Sequence, residues 1–309
     1  MAGTEGSSRA IAAAFTANVG IAAAKLVGFF VTGSSAMLAE SIHSVADSSN
    51  QGLLFLGGRQ ARRAPTVLHP FGYGRARYFW SFVVAVVLFL LGGLFSIYEG
   101  VSKVTDPHEI TSPGVALAIL AVAIVFESFA LRTAMRHARP ELRGRSWWRY
   151  IRTSRSPELP VLLLEDSGAL LGLTFAAGGI VLALVTGNPV FDGLGTLAIG
   201  VLLVGIAIVL ALEMQSLLLG EAASPETAAR IEHELAQSPG VQRVIHVLTQ
   251  HIGPDDLLVA ATLAFDRGLS TEEIARAIDE SEARVRSAVP IARLIYLEPE
   301  LPAEAPSPV

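Results

Sequence analysis

Six apolar runs constrain this chain more than anything else in it: 10–32, 34–57, 77–101, 112–135, 160–186 and 190–218. Each reaches or exceeds the ~20 residues needed to cross ~30 Å of hydrocarbon. In lipid every backbone N–H and C=O must find its partner within the protein, and segments this long meet that demand as helices. The predicted fold is therefore an all-α, six-helix transmembrane domain over 10–220. It is preceded by a polar segment, 1–9, and followed by a soluble domain over 221–299 and a Pro- and Ala-rich disordered tail, 300–309. Composition agrees: 17% of residues are charged, against about a quarter in soluble domains. The first apolar run is too long for a signal peptide, and Met1 to Ser8 carries no basic n-region.

The loops separate by charge. Loop two-three holds Arg59, Arg62, Arg63, Arg75 and Arg77. Loop four-five holds Arg136, Arg139, Arg143, Arg145, Arg149, Arg152 and Arg155. Loops one-two and five-six have no base, and loop three-four has only Lys103. The positive-inside bias then puts both termini in the cytoplasm. These arginines are read as topology determinants in contact with the bilayer surface, and nucleic acid is not expected as a partner. Trp147, Trp148 and Tyr150 fit an interfacial belt.

The soluble part reads αββαβ. Ser224-Pro225 is an N-cap followed by N1 of a helix running to about Gln237. Val241–Gln250 is strand-like, and Gly253-Pro254-Asp255-Asp256 is a turn. Leu257, Val259, Ala261, Leu263 and Phe265 alternate on one face of the next strand. Ser270 and Glu273 make a capping box for a helix to about Ala288, and Ile291 to Leu297 is a last strand. The order predicts a small α+β layer, ferredoxin-like, with both helices on one face. His233, His246 and His251 lie here without ligand spacing and are read as surface residues rather than a regulatory metal site.

Within the second run stands a polar stripe, Ser41-Ile42-His43-Ser44-Val45-Ala46-Asp47. Four residues apart on a helix, His43 and Asp47 share a face. Ionisable groups inside a membrane are costly and mark ion pathways. An imidazole and a carboxylate one turn apart can bind a divalent metal, and both carry protons; the plainer alternative is an interhelical hydrogen bond. With no cysteine in the chain, any zinc-type site must use His, Asp or Glu.

Six spans, a His-x-x-x-Asp in the second and an αββαβ tail together resemble the cation diffusion facilitator family. So do Ser34 to Asp47 and His69-Pro70-Phe71-Gly72-Tyr73-Gly74-Arg75. Glu127-Ser128, Ser146 to Ile151, Leu162 to Ser167, Thr186 to Pro189 and Asp192 to Gly195 look like its zinc transporter 9-like branch. The resemblance implies a homodimeric divalent-metal/proton antiporter that exports metal from the cytoplasm by alternating access. Zn²⁺ is the first choice of transported substrate, with Mn²⁺, Fe²⁺, Co²⁺ or Ni²⁺ compatible with a mixed N/O set.

One departure stands out. The family pattern repeats a ligand pair in span five, whereas here that span has only the adjacent acids Glu165 and Asp166, followed by Ala169, Leu170 and Leu173. The expected metal residues are His43 and Asp47, joined by some of Asp166, Glu165 and Glu127. Adjacent acids point ~100° apart on a helix, and Asp166 is the one on the face of Ala169. The other reading of these two is a cation-attracting mouth. Glu127 either replaces the missing ligand or pairs with a base. Glu40, one turn from His43, is read as an access carboxylate or packing contact. Asn18, Asn50, Gln51 and Asp192 are read as structural, and Lys25 pairs with Glu40, Glu99 or Asp192. The weakened span-five pattern also leaves open a non-transporting membrane scaffold or metal-responsive regulator. An intramembrane hydrolase is disfavoured because no nucleophile elbow or HExxH appears. Of the 23 bases, 21 are Arg; with abundant Ala this suggests a GC-rich bacterial genome and a multi-pass protein of the plasma membrane.

Overall fold

The computed structural model describes residues 20–142 and 144–300. The expectations for 1–19, including Asn18 and the start of span one, for Arg143 and for 301–309 lie outside the described residues. The chain divides into two compact units. One comprises residues up to Arg59 with Phe79–Gln215, and the other comprises Gln60–Tyr78 with Ser216 onward.

In the first unit the helices are α1 (Gly20–Thr32), α2 (Ser35–Ala61), α3 (Ala76–Thr105), α4 (Pro113–Leu142), α5 (Trp147–Thr153), α6 (Glu158–Thr186) and α7 (Val190–Leu219). Among the described residues α3, α4, α6 and α7 are long and apolar enough to cross a membrane. With 27 residues α2 has the length but not the apolarity. Its deficit is the polar seam from Glu40 to Gln51. Phe30, Val125, Phe129, Val185 and Val201 are exposed, an apolar perimeter of the kind that hydrocarbon covers. Inside, Met37, Val84, Leu88, Leu120, Leu173, Ile180, Leu203 and Leu210 form one core.

Two features depart from a plain bundle. Leu88–Leu94 in α3 is a π-helical turn, which inserts an extra residue into the helix. From within this turn onward, α3 and α7 come together on glycines. A Cβ at Gly93 would stand 2.6 Å from Val204, and one at Gly100 would stand 2.7 Å from the backbone of Leu197. Gly193 and Gly200 are crowded in return by Val104 and Ile97. Lys103, expected in a loop, is in α3, 5% exposed, and donates to the Gly33 carbonyl at 3.4 Å. Two residues of the expected interfacial belt differ in exposure. Trp148 is exposed, but Tyr150 is buried with Ala134, Ala138 and Leu163, because its hydroxyl donates to Glu141 at 2.7 Å. Burial and that acceptor push the Tyr150 phenol above its ordinary range.

The second unit follows the predicted αββαβ order: α8 (Pro225–Ala236), β1 (Val241–Gly253), β2 (Asp256–Phe265), α9 (Thr271–Ala288) and β3 (Ala292–Glu300). The sheet order is β1-β2-β3, with β1 antiparallel and β3 parallel to β2. Leu257, Val259, Ala261, Leu263 and Phe265 are buried together with Ile231 and Leu235 of α8 and Val285 of α9. Both helices therefore cover the same face. Ser224 and Ser270 cap α8 and α9 as expected. Loop 60–78 joins this unit. Arg77 bonds Asp255 at 2.8 Å, and Gly74 lies so near the β1–β2 turn that a Cβ would stand 2.7 Å from the Ile252 carbonyl. His251 is 3% exposed, contrary to the surface reading; it lies two residues before the end of β1, paired with Leu257 of β2.

Candidate metal centre

The candidate seam is built on α2. Its N-terminal end is capped from α7. Asp192 accepts from the Ser34 hydroxyl at 2.7 Å and from the Ser35 amide at 3.0 Å. A carboxylate there also offsets the positive end of the helix dipole. Two turns on, the Lys25 ammonium of α1 meets Glu40 at 3.0 Å and Ser44 at 2.8 Å, with Lys25 and Glu40 wholly buried. Of the three acids weighed for Lys25, the structure selects Glu40.

The middle of α2 is different. His43 Nε2 stands 3.4 Å from Asp47 Oδ2. Both His43 ring nitrogens, Asp47 Oδ1, Glu40 Oε1 and Asn50 Oδ1 are buried without a hydrogen-bond partner. Gly92, in the π turn of α3, leaves the space beside the imidazole: a Cβ there would lie 3.7 Å from His43 Nδ1. A buried polar atom with nothing to bind is costly and belongs to native structures where a ligand or a transition claims it.

A cavity of about 560 Å³ opens onto this stripe. Its walls carry Ser44, Asp47 and Gln51 of α2, Glu127, Thr133 and His137 of α4, and Leu159, Glu165 and Asp166 of α6. Both adjacent acids of α6 thus reach the space, although a helix turns ~100° between them, because the cavity is wide. Glu165 is 4% exposed and accepts from the Asn50 amide at 2.6 Å. His137 was not singled out from the sequence. It lies two residues after Met135 in an unremarkable polar stretch, and only the helix spacing from Glu127 through Ala130 and Thr133 links it to the site.

Two contacts set the register of α2 against α6. Asn50 meets Glu165, and Glu40 lies against Gly172, where a Cβ would come within 2.6 Å of Oε1. His43 and Asp47 fall between these two points along α2. On α2 the bond to Glu165 is thus made at Asn50, three residues beyond Asp47. Among the described residues, no three His, Asp or Glu side chains lie close enough together to hold a metal ion.

Residues 11–219 match the family model for the cation efflux transmembrane domain. The chain belongs to the cation efflux, or cation diffusion facilitator, family. As a member it is an integral, multi-pass membrane protein. Among its relatives, the human "proton-coupled zinc antiporter SLC30A9, mitochondrial" is 36% identical over 244 residues, 78% of this chain and 43% of that protein. "Metal tolerance protein C4" of Arabidopsis thaliana is 29% identical over 262 residues, 84% of this chain and 57% of that one. "Zinc transporter ZitB" of Pectobacterium atrosepticum is 25% identical over 254 residues, 82% of this chain and 74% of that one. The chain spans less than half the length of the SLC30A9 proteins it matches.

Proposed function

We propose that this protein is a divalent-metal/proton antiporter, with Zn²⁺ as transported substrate, and that His43 and Asp47 bind it with carboxylates drawn from Glu165, Asp166 and Glu127. The observation that carries the reading is the unpartnered imidazole of His43, buried 3.4 Å from Asp47 at a cavity with three further acids. Relatives named as a proton-coupled zinc antiporter, a metal tolerance protein and a zinc transporter support the substrate class.

Zinc takes imidazole nitrogen and carboxylate oxygen at about 2.0–2.2 Å, usually with four ligands. Binding needs a neutral ring and ionised acids, so the metal displaces protons from the same atoms. An imidazole titrates near ~6.5 in water, which lets a modest pH difference drive the exchange. The open spacing of the acids belongs to a state before closure; rocking of the helices brings α4 and α6 toward α2 and then exposes the ion on the other side.

The wider arrangement in this proposal has α1 and α2 completing six spans. Both termini and a ferredoxin-like C-terminal domain are cytoplasmic, and two copies form a homodimer in a bacterial plasma membrane. Loop arginines and the Arg-rich base usage support it.

Zn²⁺ uptake into proteoliposomes under an imposed pH gradient tests the reading. Wild-type protein is expected to take up Zn²⁺ with stoichiometric proton release, and His43→Ala or Asp47→Ala to fall to the level of empty liposomes. Undiminished uptake in both variants ends it. A second reading, a scaffold or metal-responsive regulator, is favoured by the fact that, among the described residues, no three His, Asp or Glu side chains are grouped closely enough to hold a metal ion. It predicts no uptake by the wild-type chain.

A further inference from the structure

The cavity has a far end that the metal centre does not use. Glu127, Ala130, Thr133 and His137 line it from one face of α4. Ten residues separate Glu127 from His137, so at ~1.5 Å per residue the imidazole lies ~15 Å along the helix from the deep acid. The ring is exposed, and its Nδ1 lies 2.9 Å from the Thr133 carbonyl oxygen. A carbonyl only accepts, so Nδ1 carries the hydrogen. In the neutral ring that leaves the lone pair on Nε2. Metal-binding histidines are held in this way, with the second ring nitrogen donating to a carbonyl or carboxylate.

His43 has no such orienting bond. The two histidines are thus prepared differently. His43 stands behind the wall, 3.4 Å from Asp47 and without a hydrogen bond, and the exposed His137 is fixed in a ligand tautomer on the wall itself. Asp166 and Glu127 line the same cavity as His137. A lone imidazole with water in the other positions binds a borderline cation weakly, which suits a site that must release it.

We propose that His137 Nε2 is a receiving station for a divalent cation of the Zn²⁺ or Co²⁺ class, which it hands on to Asp166 and Glu127. The proposal rests on the antiporter reading for its role in transport, but not for the binding itself.

Two measurements on the full chain test it. In nanodiscs with ¹⁵N-labelled histidine, Zn²⁺ is expected to move the Nε2 resonance of His137, assigned by its loss in His137→Gln, and to move it also in His43→Ala/Asp47→Ala. In proteoliposomes, His137→Ala is expected to raise the KM for Zn²⁺ about tenfold with the maximal rate unchanged, the pattern of lost ground-state binding. An unmoved His137 resonance overturns the proposal whether or not the protein transports. A moved resonance with an unchanged KM overturns its place on the transport path. Absence of uptake by the wild type with the resonance still moving sinks the antiporter reading and leaves the binding site standing.

Discussion

The N-terminal part of α2 and its middle carry the same kinds of side chain in opposite conditions. From Ser34 to Glu40 the side chains have partners: Asp192 receives two serines, and Lys25 binds Glu40 through Oε2 and also Ser44. From His43 to Asn50 the serines and the Asn50 amide are bonded, but four buried atoms of His43, Asp47 and Asn50 have no hydrogen-bond partner, and Glu40 Oε1 at the boundary is a fifth. The matched end is framework, where removing one partner strands the other. The unmatched middle gives up stability by leaving buried polar atoms without partners, and under the antiporter proposal these are the groups that meet the ion.

The sharpest way to break this comparison is Lys25→Met. It leaves the Glu40 carboxylate buried and alone, and thermal unfolding in detergent should show a loss of about 3–5 kcal/mol. Lys25→Met with Glu40→Gln should recover most of it. A silent single variant would mean the matched end is not framework. Next is Gly172→Ala on α6, whose Cβ would intrude to 2.6 Å from Glu40 Oε1. A loss of about 1–3 kcal/mol is expected, the usual result of overpacking. Gly178→Ala, where nothing lies within 4 Å, is its control and should stabilise slightly. Smaller still is His43→Leu. Its ring nitrogens make no hydrogen bonds, so stability should stay within about 1 kcal/mol or rise while Zn²⁺ uptake disappears. A large loss of stability would put His43 with the framework.

The smallest effect lies in the other unit. The Ser270 amide and hydroxyl donate to Glu273 at 2.7 and 2.8 Å and hold its carboxyl below the ordinary 4.5. A group lowered in the folded state contributes stability above its unfolded value and loses it as pH falls through the folded one. Hydrogen exchange corrected for its intrinsic rate should therefore show the first turn of α9 loosening only below pH 4.5. Ser270→Ala should loosen it at neutral pH and flatten that dependence.

What the sequence made legible follows from how local each signal is. The α8 and α9 caps and the buried alternation of Leu257 to Phe265 are written within a few residues of where they act, and their boundaries hold closely. His43 and Asp47 were visible for the same reason, four residues apart on one helix. Asn50 and Glu165 are 115 residues apart, and nothing in the spacing of either announces the bond. The partner of Lys25 needed the packing of α1 on α2 to choose among three acids. The π turn of α3 is invisible in a run of leucine and glycine that suits an ordinary helix equally well. Burial of Tyr150 likewise depended on Glu141, nine residues earlier across a helix break.

That wide turn in α3 acts locally. The extra residue of a π turn is absorbed within the turn itself, so the helix on either side keeps its facing. Removing one residue from Leu88–Leu94 should therefore leave Gly100 against Leu197, and what is lost is the local widening at Gly92, the residue that stands beside His43. The length of this stretch is thus tied to the shape of the seam rather than to the packing of the far half of α3.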